Sequence, residues 1–504
     1  MNLISSINEI NAELIADFQK AFGSPQNGDP RLAKASTQGI TQATGLVWYD
    51  LQAPAKNLFP VITPLRNMIP RVSGNGGTAT NWRQVTDVNV NNLQPFVPEG
   101  GRGGVLTTAE ADKSLSYKSL GSENYVTFEA NNAALNFEDI RGTTAQRLLF
   151  AAMIQEEFAF LGANNGVSLS TPTAPTTATA TTGGTIAAAT YNVAVVALTL
   201  AGYNASSLSG GVVGQVSITP ADGGSAYTFG GGSSNKSATT AQATTGSTST
   251  LSASTPVVNG AVAYAWYVGT AGNEKLEAIT TVNSVLLTAL AGTGQALSAI
   301  TANNSTNSYA YDGLMYQAFA ASSGAYIKNF ATGTPGTGTK LTTDGAGGIT
   351  EINAYFKDRW DSYRLSPTDL FVNSQELNSI GKLVVANGGA PLVRFSGDFG
   401  SAAQGLVAGA VVGTIINPFT QNGGQLVKLR LHPNVPAGTI LGFANTLPYP
   451  INNVPNVAEY KWRQDWYQLE WPLRTRKYET GVYTDGVLAC YFPPALGIIN
   501  NIAP

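Results

Sequence analysis

Between Val167 and Ser305 the chain carries five charged side chains: Asp222, Lys236, Glu274, Lys275 and Glu277. The rest of the stretch is rich in Thr, Ser, Ala and Gly, a composition of strands and turns. TYNVAVVALTL, VVGQVSITP, AVAYAWYVGT and SVLLTAL are the strand candidates, parted by Gly, Ser and Asn. Many short strands with regular turn residues predict an all-β sandwich. The tract FGGGSSNKSATTAQATTGSTSTLSAST admits two readings, a linker by composition or a set of polar strands. Tyr264, Trp266 and Tyr267 fit the buried strand of a sandwich better than a binding stripe. The expectation is a separately folded insert, residues 167–305, with a polar, uncharged surface.

The flanks read differently. Residues 1–58 form an arm, with apolar Leu3, Ile7, Ile10, Leu14 and Phe18 at helical spacing before a polar, turn-rich stretch. That stretch cannot build a core alone. From Thr78 to Val126 the pattern is extended: TATNWRQVTDVNV and KSLSYKSLGSENYVTFEAN predict two strands of one long, projecting hairpin. Between them lies FVPEGGRGGVLTTAE, Phe96–Glu110. A long helix follows, capped by Asn136 and stopped by Gly162, with Ile140, Leu148, Ala151, Ile154, Phe158 and Leu161 on one face. Phe137–Leu161 would run roughly 37 Å. After Ser305 mixed structure returns. GGITEINAYFKDRWDSYRL is amphipathic, and LFVNSQELNSIGKLV reads as a strand and a helix with Asn373 and Glu376 at capping-box spacing. The last stretch is aromatic and strand-like.

Several chemistries are poorly served. Net charge is −3, which argues against a dedicated nucleic-acid binder. One cysteine, Cys490, and one histidine, His432, leave no intrachain disulfide and no Cys/His zinc set. His432 reads as a loop residue rather than a triad member. No secretory signal or membrane span is visible, so a soluble chain made in a reducing cytoplasm is expected. GGRGG is not a nucleotide loop: G-x-G-x-x-G from Gly101 would need Gly where Leu106 stands, and no Gly-Lys-Ser/Thr follows. A mobile interaction loop is the expectation, with Arg102 pairing on a neighbour. Glu156 and Glu157 are adjacent on a helix, diverge by about 100° and read as a solvated face. Arg474, Arg476 and Lys477 would touch phosphates or pair with acids. Tyr460, Trp462, Trp466, Tyr467 and Trp471 read as core or interface.

The order of these pieces carries a resemblance. A long hairpin with FVPEGGRGG, a long helix ending near LGANNG, then YDGLMYQAF, LFVNSQELNSIGKL and YFPPALGII resemble the major capsid proteins of tailed bacteriophages, the Hong Kong 97 fold. The likeness covers roughly 59–165 and 306–504. It implies an α+β chain with an N-terminal arm (1–58), a connection into the P-domain (59–77), an E-loop (78–126) and a P-domain with its spine helix (127–166). An immunoglobulin-like or fibronectin type III-like insertion (167–305) displayed outside the shell would follow, then an A-domain (306–445), P-domain strands (446–485) and an A-domain C-terminal strand (486–504).

The resemblance further implies a structural protein, not an enzyme, without cofactor or metal, that forms hexamers and pentamers of an icosahedral head. Its partners would be itself, scaffolding, portal and decoration proteins, and weakly held double-stranded DNA; its place would be the virion, after assembly in the host cytoplasm. The E-loop tip, Pro98, Glu99, Gly100, Gly101, Arg102, Gly103 and Gly104, would be the inter-subunit contact. Some members cross-link a hairpin lysine to a neighbour's asparagine with help from a glutamate. Lys113 and Lys118 are the candidate lysines here, but Asp485 stands where that glutamate is looked for and no Glu follows Glu479, so no cross-link is expected. The arm is short, so loss of an N-terminal scaffold segment is not expected either. An encapsulin-like bacterial shell and a cell-surface β-sandwich adhesin are the alternative readings.

Overall fold

The computed structural model describes residues 60–74, 76–88, 96–105, 107–135, 137–220, 223–386, 393–396, 405–408, 412–421 and 423–504. The expected arm helix and the Asn136 cap lie outside them. The larger of two compact units comprises residues 60–131 and 140–504.

That unit opens with a short helix α1 (Pro64–Met68), whose proline stands in its first turn, where a missing N–H is harmless. Strand β1 (Arg71–Ser73) pairs in parallel with a later strand at Tyr460. Then β2 (Ala79–Val88) and β3 (Thr108–Ser116) pair antiparallel as a two-stranded sheet, in register from Ala79↔Ser116 to Val88↔Thr108 with a shift between Val85 and Asp87. The single long hairpin expected from the pattern ends here. After Tyr117, strand β4 (Lys118–Thr127) leaves it and joins the four-stranded sheet of the body. The reason is apolar content: Val126 is buried and Leu120 packs on the body's main core, and neither could be covered in an isolated hairpin.

The long helix α2 runs Ile140–Gly162. Buried on it are Leu148, Ala152, Glu156, Glu157, Ala159, Phe160, Leu161 and Gly162, while Ile140, Ile154 and Phe158 are half-buried and Ala151 is exposed. The expected face is thus buried or half-buried except at Ala151, and the buried set adds two carboxylates.

The insert holds β5 (Thr176–Ala180), β6 (Thr190–Leu198), β7 (Gln215–Ile218), β8 (Tyr227–Gly230), β9 (Thr240–Ala243), β10 (Thr250–Ser254), β11 (Ala263–Gly269), β12 (Lys275–Thr280) and β13 (Ser284–Leu287). A sheet β12-β11-β6-β9 and a sheet β13-β10-β5 share a core of Val193, Val195, Trp266, Leu251, Ala253 and Val285. The opposite face of β6 and β11 is covered too, by Val212, Leu297 and Ile300. Burial on both faces explains the unbroken apolar runs of these two strands. The Thr/Ser-rich tract forms polar strands, β9 and β10, rather than a linker.

The chain then adds α3 (Leu314–Phe319), β14 (Tyr326–Asn329), α4 (Thr350–Tyr363), β15 (Asp369–Val372) and α5 (Ser374–Ala386). After β16 (Val393–Ser396) and β17 (Gly405–Ala408), which pair with each other, come β18 (Thr414–Asn417), β19 (Gln425–Leu431) and β20 (Ile440–Phe443). Long β21 (Ala458–Glu470) and β22 (Lys477–Cys490) precede β23 (Leu496–Asn500). Two body sheets result, β1-β21-β22-β4 and the mixed β14-β23-β20-β15-β19-β18. The Tyr355 ring of α4 lies against Gly442 of β20 and Gly497 of β23, where any side chain would collide with it. Asn373 caps α5, accepting from Gln375 N at 3.1 Å, but Glu376 reaches away from that cap to accept from Gly438 N at 3.1 Å.

The insert is not the separate body expected. Leu200 and Val262 belong to the main body core. Asn283 N donates to Asn501 Oδ1 at 2.8 Å, and Asn501 Nδ2 donates back to Asn283 Oδ1 at 2.9 Å. Asn500 Nδ2 donates to Ala261 O at 2.9 Å, and Leu200 N to the Tyr316 hydroxyl at 2.9 Å. All of these are buried, so insert and body share one satisfied polar seam.

Candidate assembly surface

The hairpin β2–β3 is the part of the described surface least able to stand alone. On one face Arg83 bonds Asp112 at 3.0 Å across the strands, and Glu110 lies 3.4 Å from the same guanidinium. The other face carries Trp82 opposite Lys113, and Trp82 meets Tyr491 of the body edge-on at 5.2 Å between ring centres. Beyond this anchor Val85, Val88, Phe96, Val97 and Val105 are exposed, Phe96 by 90 % and Val105 by 86 %. A two-stranded hairpin without a covering layer is marginal in water, and its two free edges invite pairing.

At the tip, Gly101 N donates to Pro98 O at 2.9 Å, closing a turn with Gly100 at φ +77°. That conformation is open to glycine and strained for other L-residues. Pro98, Glu99, Gly100, Gly101, Arg102, Gly103 and Gly104 are all exposed. Neither Glu99 nor Arg102 makes an ion pair with another described residue.

The body, where α1, β1 and α2 meet, is the opposite of the tip. Glu156 and Glu157, expected on a solvated face, are 0 % and 1 % exposed. Glu156 binds Arg66 Nε at 2.7 Å and also Arg71, which in turn binds Asp465. The Arg71 guanidinium lies 4.5 Å from the Tyr460 ring centre. Burial disfavours the Arg71 cation, but the Asp465 hydrogen bond and the Glu156 charge outweigh it and raise its pKa above the ordinary arginine value. Glu157 accepts from Leu65 N at 2.8 Å and Arg66 N at 2.7 Å, so it caps α1 from across the fold. It also accepts from His432 Nε2 at 2.7 Å. His432 Nδ1 accepts from Asn434 N at 3.1 Å, which fixes the neutral tautomer with its proton on Nε2. The lone histidine does follow a strand, as expected, but it is fully buried and ties the β19–β20 loop to α2. Its only catalytic-looking partner is thus already spent on structure. Partners lying 85 to 275 residues apart in the chain could not be read from spacing.

Between the hairpin root and the body lies a cleft of about 710 Å³, lined by Trp82, Lys113, Leu115, Lys118 and Asp312 among others. Lys118 Nζ donates to Ser308 O at 2.7 Å. Cys490 also lines it, and burial pushes its thiol up to about 12, so it is no nucleophile. Asp485, considered above as a stand-in acid, is committed to Arg463 at 3.0 Å. Arg476 pairs with Glu129 at 2.7 Å and Lys477 sits 4.1 Å over the Tyr125 ring, so two of the three clustered cations have partners within the chain. Among the described residues there is no group of three potential metal ligands, and no helix is long and apolar enough to cross a membrane.

No family model matches the chain, and no curated protein matches it. Among solved structures it is similar to the capsid of cyanophage A-1(L), at 10 % identity over 92 % of this chain and 98 % of that one, with a TM-score of 0.42. It is similar to the capsid of Myoviridae phage XM1, at 10 % identity over 92 % and 99 %, TM-score 0.41. A third likeness is the SrpI encapsulin of Synechococcus elongatus PCC 7942, at 8 % identity over 90 % and 93 %, TM-score 0.38.

Proposed function

We propose that this chain is a shell subunit, the major capsid protein of a tailed bacteriophage head. One observation carries the reading: a hairpin anchored on the body through Trp82 and Tyr491 ends in an exposed apolar tip, Phe96–Val105, that no other described part of the chain covers. A surface of that kind is completed by another molecule, and repeated copies of one chain are the commonest way to complete it. In this reading β2–β3 is the E-loop, α2 the spine of the P-domain, the mixed sheet the A-domain, and the insert an immunoglobulin-like or fibronectin type III-like domain outside the shell. Hexamers and pentamers of the chain enclose double-stranded DNA, which a chain of net charge −3 holds weakly. Scaffolding, portal and decoration proteins are the further partners, the virion is its place, and it has no catalytic role.

Negative-stain electron microscopy of the purified chain, with light scattering, tests the reading. Shells, or rings of five and six subunits, are expected. Monomers that stay monomers even with their scaffold would end it. Particles recovered from cells with protein cargo instead of DNA would move the assignment to an encapsulin-like shell.

A further inference from the structure

We infer that a band of aromatic rings, running from the insert onto the body sheet β1-β21-β22-β4, binds a linear, uncharged polysaccharide. This goes beyond the shell reading and does not depend on it. Tyr227 and Phe229 share one face of the β7–β8 hairpin, their rings 27° from parallel with centres 6.4 Å apart. Tyr309 stands across both, 5.4 Å from Tyr227 and 6.4 Å from Phe229, so two rings make a floor and the third a wall. Tyr227 is 38 % exposed and Tyr309 53 %. On the body, Ser122 of β4 faces α2 and bonds Gln155 at 3.0 Å, so Gly121 and Glu123 belong to the opposite face of the sheet. There Tyr483 and Tyr467 are cross-strand neighbours, 28° from parallel and 6.0 Å apart, and Trp471 meets Tyr483 edge-on at 6.3 Å. The Tyr483 ring lies against Gly121 and Gly481, where any side chain would collide with it. Burial raises the Tyr483 pKa, and Glu123, Tyr467 and Tyr227 add to the rise, so the two sets of rings adjoin. The charges that border them are already used: Lys118 donates to Ser308 O, next to Tyr309, and Glu123 accepts from the Tyr483 hydroxyl. With five charged side chains between Val167 and Ser305, the insert offers little to a polyanion. It suits a neutral polyol, whose sugar rings lay their C–H faces on aromatic faces while their hydroxyls bond the phenol tips and the Ser, Thr and Asn around them. Rings that follow one another at 5.4 to 6.4 Å fit a chain of sugars rather than a single one.

Saturation-transfer NMR on the full chain tests this, with cellohexaose, maltohexaose and chitohexaose as probes and dextran sulfate as the ionic control. The C–H protons of at least one neutral hexamer are expected to take up saturation, and more strongly than those of its monosaccharide. Tyr227→Ala and Tyr309→Ala change exposed side chains and should leave the unfolding midpoint where it is. Each is expected to raise the Kd for that hexamer roughly two- to tenfold, the scale of one aromatic contact. Tyr309→Phe, which keeps the ring, should bind close to the parent. Saturation of none of the neutral hexamers, saturation of dextran sulfate alone, or parent-like binding by both alanine variants would each overturn the inference. None of these outcomes touches the shell reading, because the readout needs no particles and the microscopy that tests the shell needs no sugar.

Discussion

The hairpin and the insert are both built of strands, and they solve the problem of burial in opposite ways. In the insert, β6 and β11 are apolar on both faces and are covered on both, so residues from Val193 to Leu198 are wholly buried. In the hairpin, Val85, Val88, Phe96, Val97 and Val105 point to solvent, and the cross-strand charges of Arg83, Glu110 and Asp112 occupy the face that could have been packed. Strand content is therefore no guide to self-sufficiency. What separates the two regions is whether apolar residues find a second layer within the chain. The insert finds one in its own second sheet and, on the other face, in its own Val212, Leu297 and Ile300; among the described residues the hairpin finds one only at its root.

The sharpest way to break this contrast is a truncation in each region, read by urea unfolding. Trp266→Ala removes the largest fully buried side chain of the insert. A loss of about 3–5 kcal/mol is expected. A loss under about 1 kcal/mol would mean that the sandwich core is not holding the insert together.

The seam between insert and body comes next. Asn501→Ala leaves the Asn283 N–H and side-chain carbonyl without their partner. The expected cost is about 1–3 kcal/mol. Insert and body should also melt together in the parent and in two steps in the variant, as seen by calorimetry. Two steps already in the parent would show that the insert is an independent module after all.

How much of this was legible beforehand follows from the range of each interaction. The apolar runs of β6 and β11 and the 3.6-residue period of α2 are local patterns, and both gave the right element type. The charges of Glu156 and Glu157 looked local too, since acids on a helix are solvated when nothing else is known. Their partners are Arg66, Arg71 and His432, far off in the chain, and only tertiary structure brings them to the helix. The same holds for Asn283 and Asn501, 218 residues apart. The break at Tyr117 has a local cue: Leu120 and Val126 mark β4 as a strand needing a core, whereas β3 carries Leu115 as its one large apolar residue. The seven tip residues stood out as a glycine-rich tract, and the structure places them together on one exposed turn and its continuation.

Glu376 adds a pH axis within the body. It is fully buried, one carboxylate oxygen accepts from Gly438 N, and the other has no protein partner. Burial raises its pKa above the ordinary glutamate value. A raised folded value means the folded state binds the proton more tightly than the unfolded chain. Its contribution is therefore fully present below the ordinary glutamate range and is lost as the pH rises toward the folded value. Glu376→Gln, which keeps an acceptor for Gly438, should remove that slope and stabilise the chain at neutral pH. Unfolding curves of parent and variant that differ equally at acid and neutral pH would assign the difference to packing.

The smallest effect on stability is the most telling for function. Phe96 is almost wholly exposed and belongs to no core cluster of the described residues. Phe96→Ser should leave the unfolding free energy of the isolated subunit within about 0.5 kcal/mol of the parent. In the same preparation, the yield of particles or rings should collapse, because an interface centre loses its one large aromatic anchor. The two readouts must part company for the contrast with the insert to hold: Trp266 matters to the single chain, Phe96 to the pair. If Phe96→Ser lowered subunit stability by several kcal/mol, the tip would have to be packed within its own subunit, and the hairpin would be another closed region like the insert. If it changed neither stability nor assembly, the copies would have to be held by some other surface, and the exposed tip would lose its place in the argument for a shell.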